Sequence, residues 1–327
     1  MHRRRLLMSL AATAAAIGIA VPPMAAAQGF PPKGPVNLVV GFAAGGAADT
    51  AARLIAKKLG DNLGYSVVVQ NRAGAGGNIA HKLVADAEPD GTTILLGSIG
   101  PLSIAPHLMK LPYDPQRDLA PLTMGVNFPN VLVVHPGLGV KTLAEFVALA
   151  RSKPGELSYA STGAGSASHL AGEMFNQRAG VEIVHVPYKG GSQVMVDLLS
   201  GRVGAYYSTP ATAAPHVQAG KLVAIATTGL ERPSFQADVP TIAESGFKDF
   251  NATNWYAFVA PARTPEPILE RWNVELVKAL RSPDVREQLL GMGLIPEPGT
   301  REALRDFIAK ESATWAQVIK ERKITAE

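Results

Sequence analysis

The sequence predicts an α/β fold in two domains, and three observations carry that prediction. Short β-branched runs alternate with amphipathic helical segments along the 327 residues. A unit of strand, glycine-rich loop and helix occurs twice, at residues 36–59 and 157–177. The length suits two domains of roughly 150 residues each, and a 47% hydrophobic content can fill sizeable cores. Strands alternating with helices imply parallel pairing, and ligands in such sheets bind outside the carboxyl ends of the strands.

The first unit organises the rest. Val36, Leu38, Val39 and Val40 form an apolar run suited to a buried strand, and the stretch from Gly41 to Gly46 breaks it. Ala51, Leu54, Ile55 and Leu59 then recur at helical spacing, with Arg53, Lys57 and Lys58 on the polar side. Asp49 and Thr50 are capping residues by type. The first N–H groups of a helix lack internal partners and carry partial positive charge, and glycines let a ligand approach the bare backbone. Such a loop can hold a carboxylate or phosphate, or it can be a tight turn that binds nothing. It is neither G-x-G-x-x-G nor a P-loop, so nucleotide readings fit poorly.

Further along, residues 66–69 read as a strand, residues 71–78 as a second glycine loop with Asn78 as a possible cap, and residues 79–87 as a helix. Arg72 could hold an anion, though tethering a neighbouring loop is its commoner use. Residues 92–96 read as a strand that ends in a third small-residue loop at Gly97-Ser98. The proline-rich stretch 111–119 reads as irregular surface, 131–134 as a strand and 142–151 as a helix opened by a Thr142/Glu145 capping box.

The second unit follows. Residues 157–160 read as a strand, 161–166 as a loop rich in hydroxyls and 167–177 as a helix. Two such units facing each other from separate domains would form a two-sided clamp for an anion. Strands are expected at 181–184, 203–207, 222–226 and 254–260, the last returning to the first domain. Helices are expected at 193–199, 211–219, 267–280, 284–292 and 302–319, with Trp272 and Trp315 as packing residues.

The first 27 residues read as a cleavable secretory leader. Arg3, Arg4 and Arg5 precede an apolar stretch, and Ala25-Ala26-Ala27 suits cleavage after Ala27, by a Sec or twin-arginine route. An uncleaved anchor is the alternative. Without the leader the net charge falls from +4 to about +1, which together with the lack of a basic, aromatic-interleaved stripe argues against a nucleic-acid partner. The chain has no cysteine, which excludes disulfides and thiolate metal sites. Its histidines show no metal-site spacing, and neither H-E-x-x-H nor G-x-S-x-G is present. Ionisable residues are sparse in the candidate loops, Asp49 being the main one, which argues against acid–base catalysis. No metal, cofactor or enzymatic activity is expected.

The segments VVGFAAGGAADTAARLIAKKL, VVVQNRAGAGGNIA, AEPDGTTILLGS, LPYDPQRDLAPLT, FPNVLVVHP, LSYASTGAGSASHLAGEMF and VHVPYKGG, taken in this order, resemble the Bug family. These are the TctC-like periplasmic solute-binding proteins of tripartite tricarboxylate transporters, and the resemblance spans the whole chain after the leader. It implies a two-domain Venus-flytrap fold with a hinge of two crossing strands, C-terminal helices and an organic acid in the cleft. The domains would be residues 28–130 with 254–327, and residues 131–253. Carried onto this chain, the ligand residues are Phe42, Ala44, Gly45, Gly46, Asp49 and Ser98 from the first domain. The second contributes Ser161, Thr162, Gly163, Gly165, Ser166, His169, Tyr188 and Ser208. Many members carry an acidic residue where this chain has Ser208, which would pair a ligand ammonium; its lack points to a carboxylic or dicarboxylic acid, possibly aromatic, and not an amino acid. The implied partners are the membrane subunits of the transporter, with a receptor kinase as the alternative, and the implied state is a periplasmic monomer.

Overall fold

The computed structural model describes residue 30 and residues 34–325; the expected leader, residues 1–27, lies outside the described residues. The chain begins with β1 (Val36–Val40), α1 (Ala47–Leu63), β2 (Val67–Asn71), α2 (Asn78–Ala85) and β3 (Thr93–Ser98). A single π-helical turn, Gly100–Ile104, leads through the short helices α3 (Ala105–Leu108) and α4 (Pro115–Asp118) to β4 (Leu119–Pro129). The second part follows: β5 (Val131–Val134), α5 (Leu143–Ser152), β6 (Ser158–Ser161), α6 (Ala167–Ala179), β7 (Val184–Pro187), α7 (Gly191–Leu199), β8 (Ala205–Ser208), α8 (Pro210–Gln218) and β9 (Val223–Thr227). The chain returns along β10 (Thr253–Pro261) and closes with α9 (Glu266–Arg281), α10 (Pro283–Gly291), β11 (Ile295–Pro296) and α11 (Arg301–Arg322).

Two sheets result, ordered β11-β4-β10-β3-β1-β2 and β7-β6-β8-β5-β9. Each therefore anchors one lobe of a two-domain α/β fold. β1 pairs in parallel with β2 and β3, and β6 with β7 and β8, as the alternation predicts. The sheets are nevertheless mixed, because β10 runs against β3 and β4, and β5 runs against β8 and β9. These are the strands that carry the chain between lobes, and a strand arriving from the opposite lobe must enter its sheet reversed.

The lobes are joined at a compact hinge. Asn130 alone separates β4 from β5. Its backbone N–H donates to Thr228 Oγ1 at 2.9 Å, and its carbonyl accepts from the Thr228 N–H at 2.9 Å. Thr228 bonds in turn to Ala252, just before β10. Both crossings are thus tied together where the sheets meet. An apolar cluster spans the lobes, taking in Leu95 and Trp255 of the first, Phe146 and Phe175 of the second, and Trp315 and Ile319 of α11. Burying side chains of this size is worth roughly 1.5–3 kcal/mol each, which explains why α11 closes the fold.

Several elements depart from expectation for local reasons. Helix α1 starts two residues before Asp49, with Gly46 as its cap. Asn78 lies inside α2 after Gly77, where its amide spans the Ala75 carbonyl and the Tyr113 hydroxyl. The eleven-residue β4 went unpredicted, because Pro121, Gly125 and Pro129 mask its pattern. Arg301 Nε donates to the Pro121 carbonyl and Asn273 Nδ2 to the Leu122 carbonyl, so these two acceptors of β4 are satisfied from the C-terminal helices. The strand expected at 181–184 forms at Val184–Pro187, since Ile183 is buried in the core just before it. The stretch 111–119 is less irregular than expected; Asp114 caps α4 through the N–H groups of Gln116 and Arg117. Among the described residues the Arg72 guanidinium reaches its neighbour Gln70 and no other loop.

Candidate functional site

The lobes close on each other around a small, partly open cavity of about 30 Å³. Its first wall is Phe42 with the opening of α1, namely Gly46, Ala47 and Ala48. The end of β3 adds Ser98, Ile99 and Gly100. The second lobe contributes Thr162 and the opening of α6 (Ser166, Ala167, Ser168), Gly191 at the start of α7, and Thr209 and Thr212 around the start of α8. Tyr206, Tyr207 and Tyr256 form the aromatic side, and Asn130 and Asn254 the hinge side.

Four helices thus point their N-termini at one small volume. The caps Gly46, Gly190 and Thr209 supply no side-chain hydrogen bond to α1, α7 and α8. Only Ser166 does so, accepting from the His169 N–H. The convergent helix dipoles create a positive field without a cationic side chain. None of the lining residues is Asp, Glu, Lys, Arg or His. Burial pushes the phenols of Tyr206, Tyr207 and Tyr256 well up, so they stay protonated and can donate. The chemistry on offer is therefore recognition of a negative charge by neutral donors. Among the described residues no cluster of three or more His, Asp or Glu could hold a metal ion.

Direct contacts seal the lips. The Ala43 N–H donates to the Lys189 carbonyl at 3.2 Å, and Ser192 Oγ donates to the Ala44 carbonyl at 2.9 Å. Glycines make this approach possible. A Cβ on Gly100 would stand 2.7 Å from the Gly165 carbonyl oxygen, one on Gly163 2.6 Å from the Gly76 nitrogen, and one on Gly190 2.8 Å from the Ala43 nitrogen.

Of the residues singled out in the sequence, Phe42, Gly46, Ser98, Thr162 and Ser166 line the cavity together. Ala44 and Gly45 lie at the exposed lip. Asp49 lies outside the lining: its carboxylate accepts from the Gly45 N–H at 2.9 Å and Asn71 Nδ2 at 3.0 Å, and pairs with Arg53. Burial alone would raise its pKa, but these hydrogen bonds outweigh it and hold the group below the usual carboxylate range. Ser161, Gly163, Gly165 and His169 build and brace the second-lobe loop. His169 Nδ1 accepts from the Gly165 N–H at 3.2 Å, Ser161 Oγ accepts from the Gly163 N–H at 3.0 Å, and Ser161 Oγ meets His185 Nε2 at 2.6 Å. Burial, and then the neighbouring His185, depress His169 to about 3, so its ring is a neutral acceptor. Tyr188 turns its hydroxyl away to Asp197 at 2.8 Å. Ser208 is buried within β8, with Oγ on the Thr209 carbonyl at 3.0 Å.

Sequence reasoning missed Asn130, Asn254, Tyr206, Tyr256, Thr209 and Thr212. The first two carry no local signal, since they become cavity walls only where the two sheets meet at the hinge. Ser98, Asn130 and Asn254 are at most 8% exposed, and each has a side-chain polar atom without a partner. Such groups in a cavity wall are suited to ligand contact.

Residues 51–324 match the model of the tripartite tricarboxylate transporter family receptor. The chain is 38% identical over 323 residues to the protein BugT of Bordetella pertussis, covering 98% of each chain. Among solved structures, Rpa4515 of R. palustris with adipate superposes at a TM-score of 0.86 and 34% identity, over 89% of this chain and 97% of that one. MatC from Rhodopseudomonas palustris with bound malate superposes at 0.83 and 32%, over 87% and 98%.

Proposed function

The chain belongs to the tripartite tricarboxylate transporter receptor family, and from that premise we propose that it captures a small organic acid in its interdomain cleft and delivers it to the membrane subunits of such a transporter. The family and its structural neighbours are periplasmic solute-binding proteins, with carboxylates bound in two of those neighbours. The observation that carries the reading is the convergence of four helix N-termini on a cavity whose described lining holds no charged side chain. A carboxylate satisfies those N–H groups and neutralises their field, whereas a cation would be repelled. An α-ammonium finds no carboxylate among the lining residues, which supports acids over amino acids. Phe42, Gly46, Ser98, Thr162 and Ser166 would touch the ligand, and Asp49, Ser161, Gly165 and His169 would shape the loops that do. Residues 28–130 with 254–327 would move as one body and residues 131–253 as the other, after export by a leader cleaved behind Ala27.

A thermal-shift screen of residues 28–327 against mono-, di- and tricarboxylates, aromatic acids and acidic amino acids tests this. Ligand that binds only the folded state adds about 2.7 kcal/mol at a hundredfold excess over its Kd. One acid class should raise Tm by several degrees while aspartate and glutamate leave it unchanged. Stabilisation by amino acids alone, or by no acid, would refute the reading.

A further inference from the structure

We propose that the ring pair His169–His185, behind the second-lobe loop, is a proton-sensitive latch: neutral, it positions the loop for closure and acid binding, and protonated, it releases both. The inference rests on the carboxylate reading above and adds its regulation.

The loop between β6 and α6 does two things at once. Thr162 and Ser166 line the cavity. Gly163 and Gly165 meet the first lobe, at Gly76 and Gly100, so closely that no Cβ fits between. Both glycines are held by the ring pair. The Gly165 N–H donates to His169 Nδ1 at 3.2 Å. The Gly163 N–H donates to Ser161 Oγ at 3.0 Å, and that oxygen meets His185 Nε2 at 2.6 Å. The two ring centroids lie 4.2 Å apart, and Tyr159 stacks on His185 at 5.2 Å.

This arrangement needs a neutral His169. A ring nitrogen accepts a bond through its lone pair, which a proton would occupy. A protonated Nδ1 would aim its hydrogen at the Gly165 N–H, donor against donor. Charging His185 as well would place two cations side by side in surroundings that disfavour even one. His169 is fully buried and His185 half-buried. Among the described residues no carboxylate pairs with either ring. Glu173, one turn further along α6, is engaged by the Tyr159 hydroxyl at 2.6 Å, and burial raises its pKa. Tyr207 of β8 adds a phenol that stays protonated. From the first lobe, Ala105 and Met109 meet Gly165; His107 of α3 is engaged by Ser312 Oγ at 2.8 Å, and His81 of α2 by the Gly77 carbonyl at 2.9 Å.

Burial, and for His169 also the neighbouring ring, hold the pair at about 3 and about 4 in the closed form. Opening frees the loop and lets water reach the rings, so their values rise towards the ordinary one of about 6.5. The open form then binds more protons than the closed form, and affinity for the acid falls as pH falls through that window. Each unit of difference is worth about tenfold in affinity.

Calorimetric titration of residues 28–327 with succinate, malate and adipate at pH 7 and pH 5 tests the latch, with tryptophan fluorescence confirming the fold at both. The variants are His169→Asn, whose side-chain oxygen can accept the Gly165 N–H without titrating, and His185→Gln at the half-buried ring. The readout is each protein's own ratio of affinities at the two pH values. Protonation of the added acid enters all three ratios equally, so their comparison isolates the rings. The wild-type ratio should exceed that of His169→Asn by about tenfold or more, with His185→Gln between them. Binding at pH 5 should also release protons from the wild type, read from the dependence of the heat on buffer ionisation, and fewer from either variant. Equal ratios in all proteins that fold, whatever their absolute affinities, would make the rings structural only; that result would overturn the proposal and leave the carboxylate reading intact. Binding of none of the acids at pH 7 would instead remove the carboxylate reading on which the latch stands.

Discussion

At the scale of single residues, the site divides into groups that would meet the ligand and groups that hold those in place. Asp49 belongs to the second kind. Its carboxylate gathers the Gly45 N–H, Asn71 and Arg53 behind the first loop. Replacing it by alanine should cost about 2 kcal/mol of stability in denaturant unfolding and weaken acid binding about tenfold, although Asp49 never reaches the cavity. Unchanged affinity would mean that the loop keeps its shape unaided. The buried His81 and His169 and the half-buried His185 act through pH. Burial depresses His81 to about 4, His169 to about 3 and His185 to about 4. Their folded values lie below the unfolded one near 6.5, so the unfolded chain binds more protons in that window. Their contribution is complete above about pH 6.5 and is lost as pH falls towards 4 and 3. Urea unfolding at pH 7 and pH 5 should show stability dropping by about 2 kcal/mol for each fully buried ring, and His81→Gln should make the drop shallower.

At the scale of elements, the glycine loops are what permit the lobes to touch. Gly100 stands at the start of the π-helical turn with an ordinary backbone conformation, so alanine fits the isolated lobe and can even favour the helical turn. In the closed form the added methyl would lie 2.7 Å from the Gly165 carbonyl oxygen. Gly100→Ala should therefore leave the Tm of the unliganded protein unchanged or higher and lower acid affinity at least tenfold, as read by calorimetry. Wild-type affinity in that variant would show that binding does not need this closed contact. Element patterning explains what could be read in advance. The strand–loop–helix units at β1–α1 and β6–α6 announce themselves through β-branched runs, small loops and helical spacing, and the Thr142/Glu145 capping box is realised as read. β4 is hidden because its prolines and glycine break the strand pattern, and the carbonyls of Pro121 and Leu122 find their donors in Arg301 and Asn273, some 150 to 180 residues away. Site residues on helix starts follow from local rules. Asn130, Tyr206 and Asn254 become cavity walls only once two sheets share a hinge, a relation no local window contains.

At the scale of the molecule, two mixed sheets linked at Asn130 and Thr228 enclose a cavity that is charged by geometry alone. Helix starts from both lobes supply the field, so an anion between them would bridge the lobes and favour the closed state by its differential affinity. Family membership and the acids bound by MatC and Rpa4515 agree with that chemistry. The measurement that tests it most directly is a crystal structure of residues 28–327 with the acid that gives the largest thermal shift. The account predicts carboxylate oxygens about 3 Å from the backbone nitrogens that open α1 and α6, within a closed cleft. An acid held instead by a lysine or arginine side chain, or seated outside the cleft, would contradict it.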